Sequence, residues 1–268
     1  MEYVDDIFRT LDWLGVEWDE GPFSTEDFTK NWSQHLRLDA YEKALKDLQK
    51  TGDLYACNCS RKDIRERSTN GLYPNTCRQN RLNATVEMSN YEKNTAWRIV
   101  VETDKRARFK NIEEIGPLSI NGIFDEKTRF FKHFDVDLSE KMGDFIVRQK
   151  NGLPSYQLAS LVDDVFFNVN FIVRGEDLLN STAAQIFLAE RLNQADFLAT
   201  MFWHHPLVTE ENGSKLSKSE GAASLLALRN AGHSAAVVVR QAAKWLGFSD
   251  FEGETAKSLV DFLQKDKV

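Results

Sequence analysis

Apolar residues at the start of the chain, Val4, Ile7, Phe8, Leu11 and Leu14, recur at three- and four-residue spacing. This is the period of a helix that buries one face, and it breaks at Gly15. A second helix is predicted over Leu38 to Lys50, where Tyr41, Ala44, Leu45 and Leu48 share a face and Gly52 stands where a C-terminal cap belongs. The Trp-, Pro- and Gly-containing stretch between them, Trp18 to Trp32, reads as a loop. From Cys57 to Arg81 the apolar period disappears. Residues 96 to 131 alternate loosely (Trp97, Ile99, Val101, then Phe109, Ile112, Leu118, Ile120, Ile123) and read as strands, with Asn121-Gly122 as the clearest turn.

Beyond that point short apolar runs alternate with helical patterns. Asp144 to Arg148 reads as a strand, Asn151-Gly152 as a turn, Tyr156 to Phe167 as a helix and Phe171 to Arg174 as a strand. Ser181 reads as the N-cap of a helix ending near Leu192. A polar loop from Glu210 to Ala222 precedes helices near Ser224 to Asn230, Ser234 to Leu246 and Ala256 to Gln264. Strands alternating with helices predict an α/β protein with a parallel sheet and ligands at the carboxyl ends of its strands.

Composition narrows the function classes. The 268 residues are 42% apolar, as expected of a globular protein and not of a disordered or collagen-like one. The longest apolar stretches, such as Ala235 to Val239, fall far short of the ~18 residues of a membrane span, and Met1 is followed by Glu2, Asp5 and Asp6 where a secretory signal would be basic. A cytoplasmic protein without a membrane partner is expected. With 34 basic and 41 acidic side chains the net charge is -7, so nucleic acid must be met by a local patch. One candidate is at hand: between Cys57 and Arg81 six positive residues (Arg61, Lys62, Arg65, Arg67, Arg78, Arg81) face only Asp63 and Glu66.

Three groups of residues carry candidate chemistry. All three cysteines, Cys57, Cys59 and Cys77, fall within 21 residues of this basic region. Three thiolates with an oxygen from Tyr73 would complete a tetrahedral metal site, whereas buried small hydrophobes are the simpler alternative. Lys215 and Lys218, three apart in Gly213-Ser214-Lys215-Leu216-Ser217-Lys218-Ser219, can act as point charges on a triphosphate, or belong to an ordinary solvated loop. Tyr156 at a helix start and Arg174 at a strand end can point into one crevice and suit a small carboxylate. The alternative is a core tyrosine and a structural salt bridge from Arg174 to Asp163 or Asp164.

The lysine loop, following His204-His205-Pro206-Leu207, resembles the signature loop of class I aminoacyl-tRNA synthetases, and the run from Tyr156 to Leu178 is similar to their glutamyl branch. The Cys57-x-Cys59, Tyr73, Cys77 spacing is similar to the zinc site of the glutamyl-Q tRNA(Asp) synthetases, short relatives that lack an anticodon-binding domain. The 49 residues after Ser219 agree with that truncated form. The resemblance implies a Rossmann-like class I catalytic core with an inserted zinc-bearing subdomain. It divides the chain into 1–52, a remnant of the N-terminal catalytic half; 53–135, the zinc-bearing, acceptor-type insertion; 136–222, the second catalytic half with the lysine loop; and 223–268, C-terminal helices.

The activity implied is ATP-dependent activation of glutamate to glutamyl-adenylate and its transfer to queuosine of tRNA(Asp). Tyr156 and Arg174 would hold glutamate, Lys218 and Lys215 the phosphates, and His204 the nucleotide, a packing role being the alternative for His204. Cys57, Cys59, Tyr73 and Cys77 would hold Zn2+, Mg2+ would arrive with ATP, and a monomer is expected. The family's opening strand, its His-containing nucleotide signature and its Arg-x-Glu-Asp segment precede the helix that here begins at Val4. The sheet is therefore expected to lack its leading strands, through a shortened reading frame. The alternatives are a fragment or variant of glutamyl-tRNA synthetase acting at the tRNA 3′ end, and a noncatalytic tRNA- or nucleotide-binding remnant.

Overall fold

The computed structural model describes residues 2–82, 94–112, 131–207 and 224–265. In chain order the elements are α1 (Glu2–Leu14), α2 (Thr25–Asp27), α3 (Leu38–Lys50), β1 (Leu54–Cys57), α4 (Arg61–Arg67), β2 (Ala96–Ile99), β3 (Arg106–Ile112), β4 (Phe131–Asp137) and α5 (Leu138–Lys141). They continue with β5 (Phe145–Arg148), α6 (Tyr156–Phe166), β6 (Phe171–Gly175), α7 (Leu179–Arg191), α8 (Ala195–Leu198), β7 (Met201–His205), α9 (Leu225–Asn230), α10 (Ala236–Trp245) and α11 (Ala256–Lys265). The chain divides into two compact units, residues 37–112 with 131–207, and residues 1–36 with 113–130 and 208–268.

In the first of these units α3 spans the predicted residues, with Tyr41, Ala44, Leu45 and Leu48 buried. Gly52 closes it at φ +78°, a left-handed conformation that costs glycine little. Two sheets follow. β1, β2 and β5 form an antiparallel sheet in which Leu54 pairs with Ile99 and Trp97 with Arg148. The second sheet has the order β4-β3-β7-β6. β6 and β7 are parallel, joined through α7 and α8, and their register sets Arg174 opposite His204. β3 joins β7 in parallel at Asn111 and Phe202, while β3 and β4 are antiparallel. The expected parallel sheet is thus a mixed one, with its parallel part at β3, β7 and β6.

One core unites these layers: Leu48, Leu54, Trp97, Phe109, Phe145, Leu158, Phe187 and Phe202 all belong to it. α7 is buried from Thr182 through Ala189, so little of its middle can carry solvent-facing polar residues. Ser181 is not its N-cap. A 3₁₀ turn at Glu176–Leu178 leads directly into Leu179, and this places Ser181 inside the first helical turn. The stretch from Cys57 to Arg81, aperiodic in sequence, contains α4. Its end is fixed by a reciprocal cap in which Ser60 Oγ accepts from the Asp63 amide and Asp63 accepts from the Ser60 amide.

In the other unit α1 runs Glu2–Leu14 and ends at Gly15, whose φ is +67°. Val239, Ala243, Phe248, Phe251 and Leu259 from α10, α11 and their connection form its core, with Leu14 against it. Arg229 binds the Asp6 carboxylate and donates to Thr10 Oγ1 at 2.6 Å. The expected loop Trp18 to Trp32 holds α2 and a π-type turn at Phe28–Trp32, initiated by Ser24 accepting from the Asp27 amide. Capping, not apolar period, makes this turn, which is why hydrophobic spacing does not reveal it. Asn121-Gly122 and the apolar positions Leu118, Ile120 and Ile123 lie outside the described residues. Among the described residues no helix is long and apolar enough to cross a membrane.

Candidate functional site

The carboxyl ends of β6 and β7 carry Arg174 and His204 side by side. The Arg174 guanidinium donates from one terminal nitrogen to Gln185 Oε1 at 2.8 Å and to Thr182 Oγ1 at 3.3 Å. Thr182 Oγ1 stands 2.9 Å from His204 Nε2, and His204 Nδ1 stands 2.7 Å from Asn111 Oδ1. Asn111 Nδ2 donates to the Ile112 carbonyl, so its oxygen is the acceptor facing the imidazole. His204 therefore carries its proton on Nδ1 and accepts at Nε2 from Thr182. Burial first, then the charge of Arg174, depresses the His204 pKa to about 4, and the ring packs against Phe202 and Phe109. This ties His204 into the sheet as a neutral group.

Tyr156 opens α6 behind the Ser155 cap, and its side chain is half exposed. Burial lowers the Arg174 pKa, while Tyr156 and Asp164 favour its charge. Asp164 is pushed up to about 6 by burial, partly opposed by Arg174, and its Oδ2 has no hydrogen-bond partner among the described residues. The expected alternative, a salt bridge from Arg174 to Asp163 or Asp164, does not form among the described residues: Arg174 influences Asp164 only as a nearby charge, and Asp163 is engaged elsewhere. That carboxylate instead pairs with Arg37 Nε at 2.8 Å and accepts from Tyr41 Oη at 2.5 Å. Arg174 thus has a positioned guanidinium with carboxylate-binding capacity, and Tyr156 acts on it electrostatically. Lys215 and Lys218 lie outside the described residues.

The cysteines come together as the metal reading requires. The Sγ atoms of Cys57, Cys59 and Cys77 lie within 4.8 Å of one another, and Cys59 and Cys77 are 3.6 Å apart. Tyr73 Oη is 3.4 Å from Cys57 Sγ and 3.7 Å from Cys59 Sγ. In a tetrahedral zinc site with Zn–S of ~2.3 Å and Zn–O of ~2.0 Å, the S···S and S···O edges are about 3.8 and 3.5 Å. The Cys59–Cys77 edge and the distances from Tyr73 to Cys57 and Cys59 lie near these values, and the three-cysteine cluster can bind a metal. Burial pushes the Cys59 thiol up, but hydrogen bonds led by Thr76 and Tyr73 outweigh it and lower it, whereas burial raises the neighbouring Cys77 thiol. Burial, and then its thiol neighbours, raise the Tyr73 phenol. Without a cation Tyr73 is a neutral hydroxyl that accepts from the Cys77 amide at 3.1 Å.

An open cleft of about 460 Å³ runs from this cluster to the start of α6, with Tyr73, Arg98, Tyr156 and Gln157 on its walls. Next to it α4 exposes Arg61, Lys62, Arg65 and Arg67. Asn111, Thr182 and Gln185 are site residues that hydrophobic spacing does not single out. Gln185 alone of the three carries a signal, a polar side chain between Ala184 and Ile186; Asn111, beside Lys110, and Thr182, beside Ser181, carry none.

Residues 1–265 match the family described as tRNA synthetases class I (E and Q), catalytic domain. The chain belongs to this family. Among curated relatives, glutamyl-Q tRNA(Asp) synthetase of Dechloromonas aromatica (strain RCB) is 36% identical over 228 residues, 83% of this chain and 64% of the relative. The protein of the same name from Cupriavidus metallidurans is 36% identical over 259 residues, 90% of this chain and 72% of the relative. A glutamate--tRNA ligase of Sulfurihydrogenibium sp. (strain YO3AOP1) is 30% identical over 86% of this chain and 45% of its own length. The chain thus spans about half to two thirds of the length of the first of these class I relatives. A solved glutamate tRNA ligase from Elizabethkingia meningosepticum CCUG26117, in complex with its amino acid, superposes with a TM-score of 0.56 at 21% identity, covering 80% of this chain and 41% of that one. This likeness is one of fold, and it agrees with the class I catalytic core.

Proposed function

We propose that this chain activates glutamate with ATP and transfers it to tRNA, with queuosine of tRNA(Asp) as the acceptor. The observation that carries the choice of branch is the convergence of Cys57, Cys59 and Cys77 with the Tyr73 hydroxyl as a fourth donor. The names of the relatives at 36% identity point the same way.

The glutamate carboxylate attacks the α-phosphorus of ATP, the bond to the bridging oxygen breaks, and pyrophosphate leaves. A hydroxyl of the acceptor then takes the glutamyl group, and AMP leaves. Arg174, held on one side by Gln185 and Thr182, binds a glutamate carboxylate with its remaining donors, and Tyr156 closes the same site. Lys218, assisted by Lys215, neutralises charge gathering on the phosphates, and Mg2+ comes with the nucleotide. His204 stays neutral beside the nucleotide and keeps β7 tied to α7. Zinc, when bound by Cys57, Cys59, Tyr73 and Cys77, supplies a structural crosslink within the segment 53–135. The exposed basic face of α4 meets tRNA backbone, in a protein working as a monomer in the cytoplasm.

A second reading, transfer to the 3′ end of tRNA(Glu), draws on the relatives named glutamate--tRNA ligase. Labelled glutamate supplied with ATP and either queuosine-containing tRNA(Asp) or unmodified tRNA(Glu) separates the two. Label on tRNA(Asp) that is lost when queuosine is absent supports the first, and label on tRNA(Glu) the second. Lys218→Ala is expected to abolish adenylate formation, and a chain that only binds nucleotide would lose affinity without any turnover to lose.

A further inference from the structure

Asp144, which precedes β5, is a fully buried carboxylate with four hydrogen bonds, and two of the groups it anchors, Tyr55 and Arg78, lead directly to donors of the cysteine cluster. Its Oδ2 accepts from Tyr55 Oη at 2.7 Å and from Arg78 Nε at 2.6 Å. Its Oδ1 accepts from an Arg78 terminal nitrogen at 2.7 Å and from the Val101 amide at 2.8 Å. Its main-chain carbonyl accepts from Arg98 at 2.8 Å, and the Arg98 guanidinium lies 3.8 Å from the centre of the Tyr73 ring.

Tyr55 stands two residues before Cys57 on β1, and Arg78 follows Cys77 directly. The Asp144 carboxylate therefore ties β1 with Cys57 to the turn with Cys77, while its main-chain carbonyl holds the Arg98 guanidinium over the Tyr73 ring. Cys57 is separated from Tyr73 by 16 residues in sequence, and no hydrophobic period links the two segments. A metal site requires its ligands held to within a few tenths of an ångström, and outer groups that orient them change affinity by roughly 10- to 100-fold. We infer that Asp144 is the positioning residue of the metal centre, its carboxylate acting through Tyr55 and Arg78 on Cys57 and Cys77. This rests on the metal reading given above.

The test compares the intact chain with Asp144→Asn and Tyr55→Phe, using zinc affinity by chelator competition and the thiolate-to-metal absorption of the cobalt(II) form. Asp144→Asn replaces one accepting carboxylate oxygen by an amide nitrogen, a donor that cannot accept from the donors facing it. It is expected to weaken zinc binding roughly 10- to 100-fold and to shift or broaden the cobalt bands. Tyr55→Phe keeps the ring, removes one hydrogen bond, and is expected to weaken binding severalfold in the same direction. Asp163→Asn, in a buried pair that shares no residue with the cluster, is expected to lower stability without changing zinc affinity. If Asp144→Asn does not fold, Tyr55→Phe decides. Wild-type affinity in both variants, with the wild-type chain binding one zinc, overturns the positioning role alone. A wild-type chain that binds no zinc overturns the metal reading and this inference with it.

Discussion

Arg174 and Gln185 are joined across 2.8 Å, from a guanidinium at the end of β6 to an amide oxygen on a fully buried turn of α7. That bond fixes one edge of the guanidinium before any ligand arrives, which reduces the ordering cost of binding a carboxylate. Gln185→Leu keeps the apolar environment of α7 and removes the acceptor. It is expected to raise KM for glutamate about tenfold, from a loss of about 1.5 kcal/mol for a hydrogen bond to a charged group, with a much smaller effect on KM for ATP. Steady-state exchange kinetics check this, and equal effects on both substrates would contradict it.

His204 is predicted to remain neutral well below the ordinary histidine range. Its pKa is depressed from 6.5 to about 4, so the stability it contributes is complete above about pH 6.5 and is lost as pH falls towards 4. Asp164 acts with the opposite sign. Raised from 3.8 to about 6, it favours the folded state most below about pH 3.8 and loses that contribution as pH rises through 6. NMR of the imidazole nitrogens at pH 5.5 should show His204 with its proton on Nδ1 only. A midpoint near 6.5 would contradict the burial and the hydrogen bonds that define the network.

Arg37 and Asp163 are a pair with side chains only 8% and 15% exposed, so removing one partner strands a charge away from water. Asp163→Ala is expected to destabilise the protein by about 3 kcal/mol, with Tyr41 also losing its acceptor. Denaturant unfolding measures this, and a cost under about 1 kcal/mol would place the pair among surface-like ion pairs.

Much of this architecture is legible in the order of residues along the chain. The spacing of Tyr41, Ala44, Leu45 and Leu48 gives α3, expected from about Leu38 to Lys50, because a helix packed on one side leaves a simple period. α2 and α4 leave none, since their apolar content is low and their ends are fixed by Ser24 with Asp27 and Ser60 with Asp63. Strand partnership is also invisible locally: β1 pairs with β2, and β2 with β5, across gaps of about forty residues. The cysteine cluster could be read because three cysteines in 21 residues are a chemical signal. Asn111, Thr182 and Asp144 could not be, because single polar residues become meaningful only when the fold brings their partners to them.

The exposed basic face of α4 gives a prediction specific to the acceptor. Arg65→Glu with Arg67→Glu is expected to raise KM for tRNA on the order of tenfold or more at low salt, with a shallower salt dependence, and to leave tRNA-independent exchange unchanged. Equal loss of both activities would mean that α4 supports the fold instead of meeting tRNA.

The most direct test of the proposed activity is glutamate-dependent exchange of labelled pyrophosphate into ATP by the purified chain, first without tRNA and then with it. Exchange that requires glutamate, proceeds without tRNA and disappears in Lys218→Ala is the result this account predicts. No exchange in either condition, from a folded chain supplied with zinc, would contradict it.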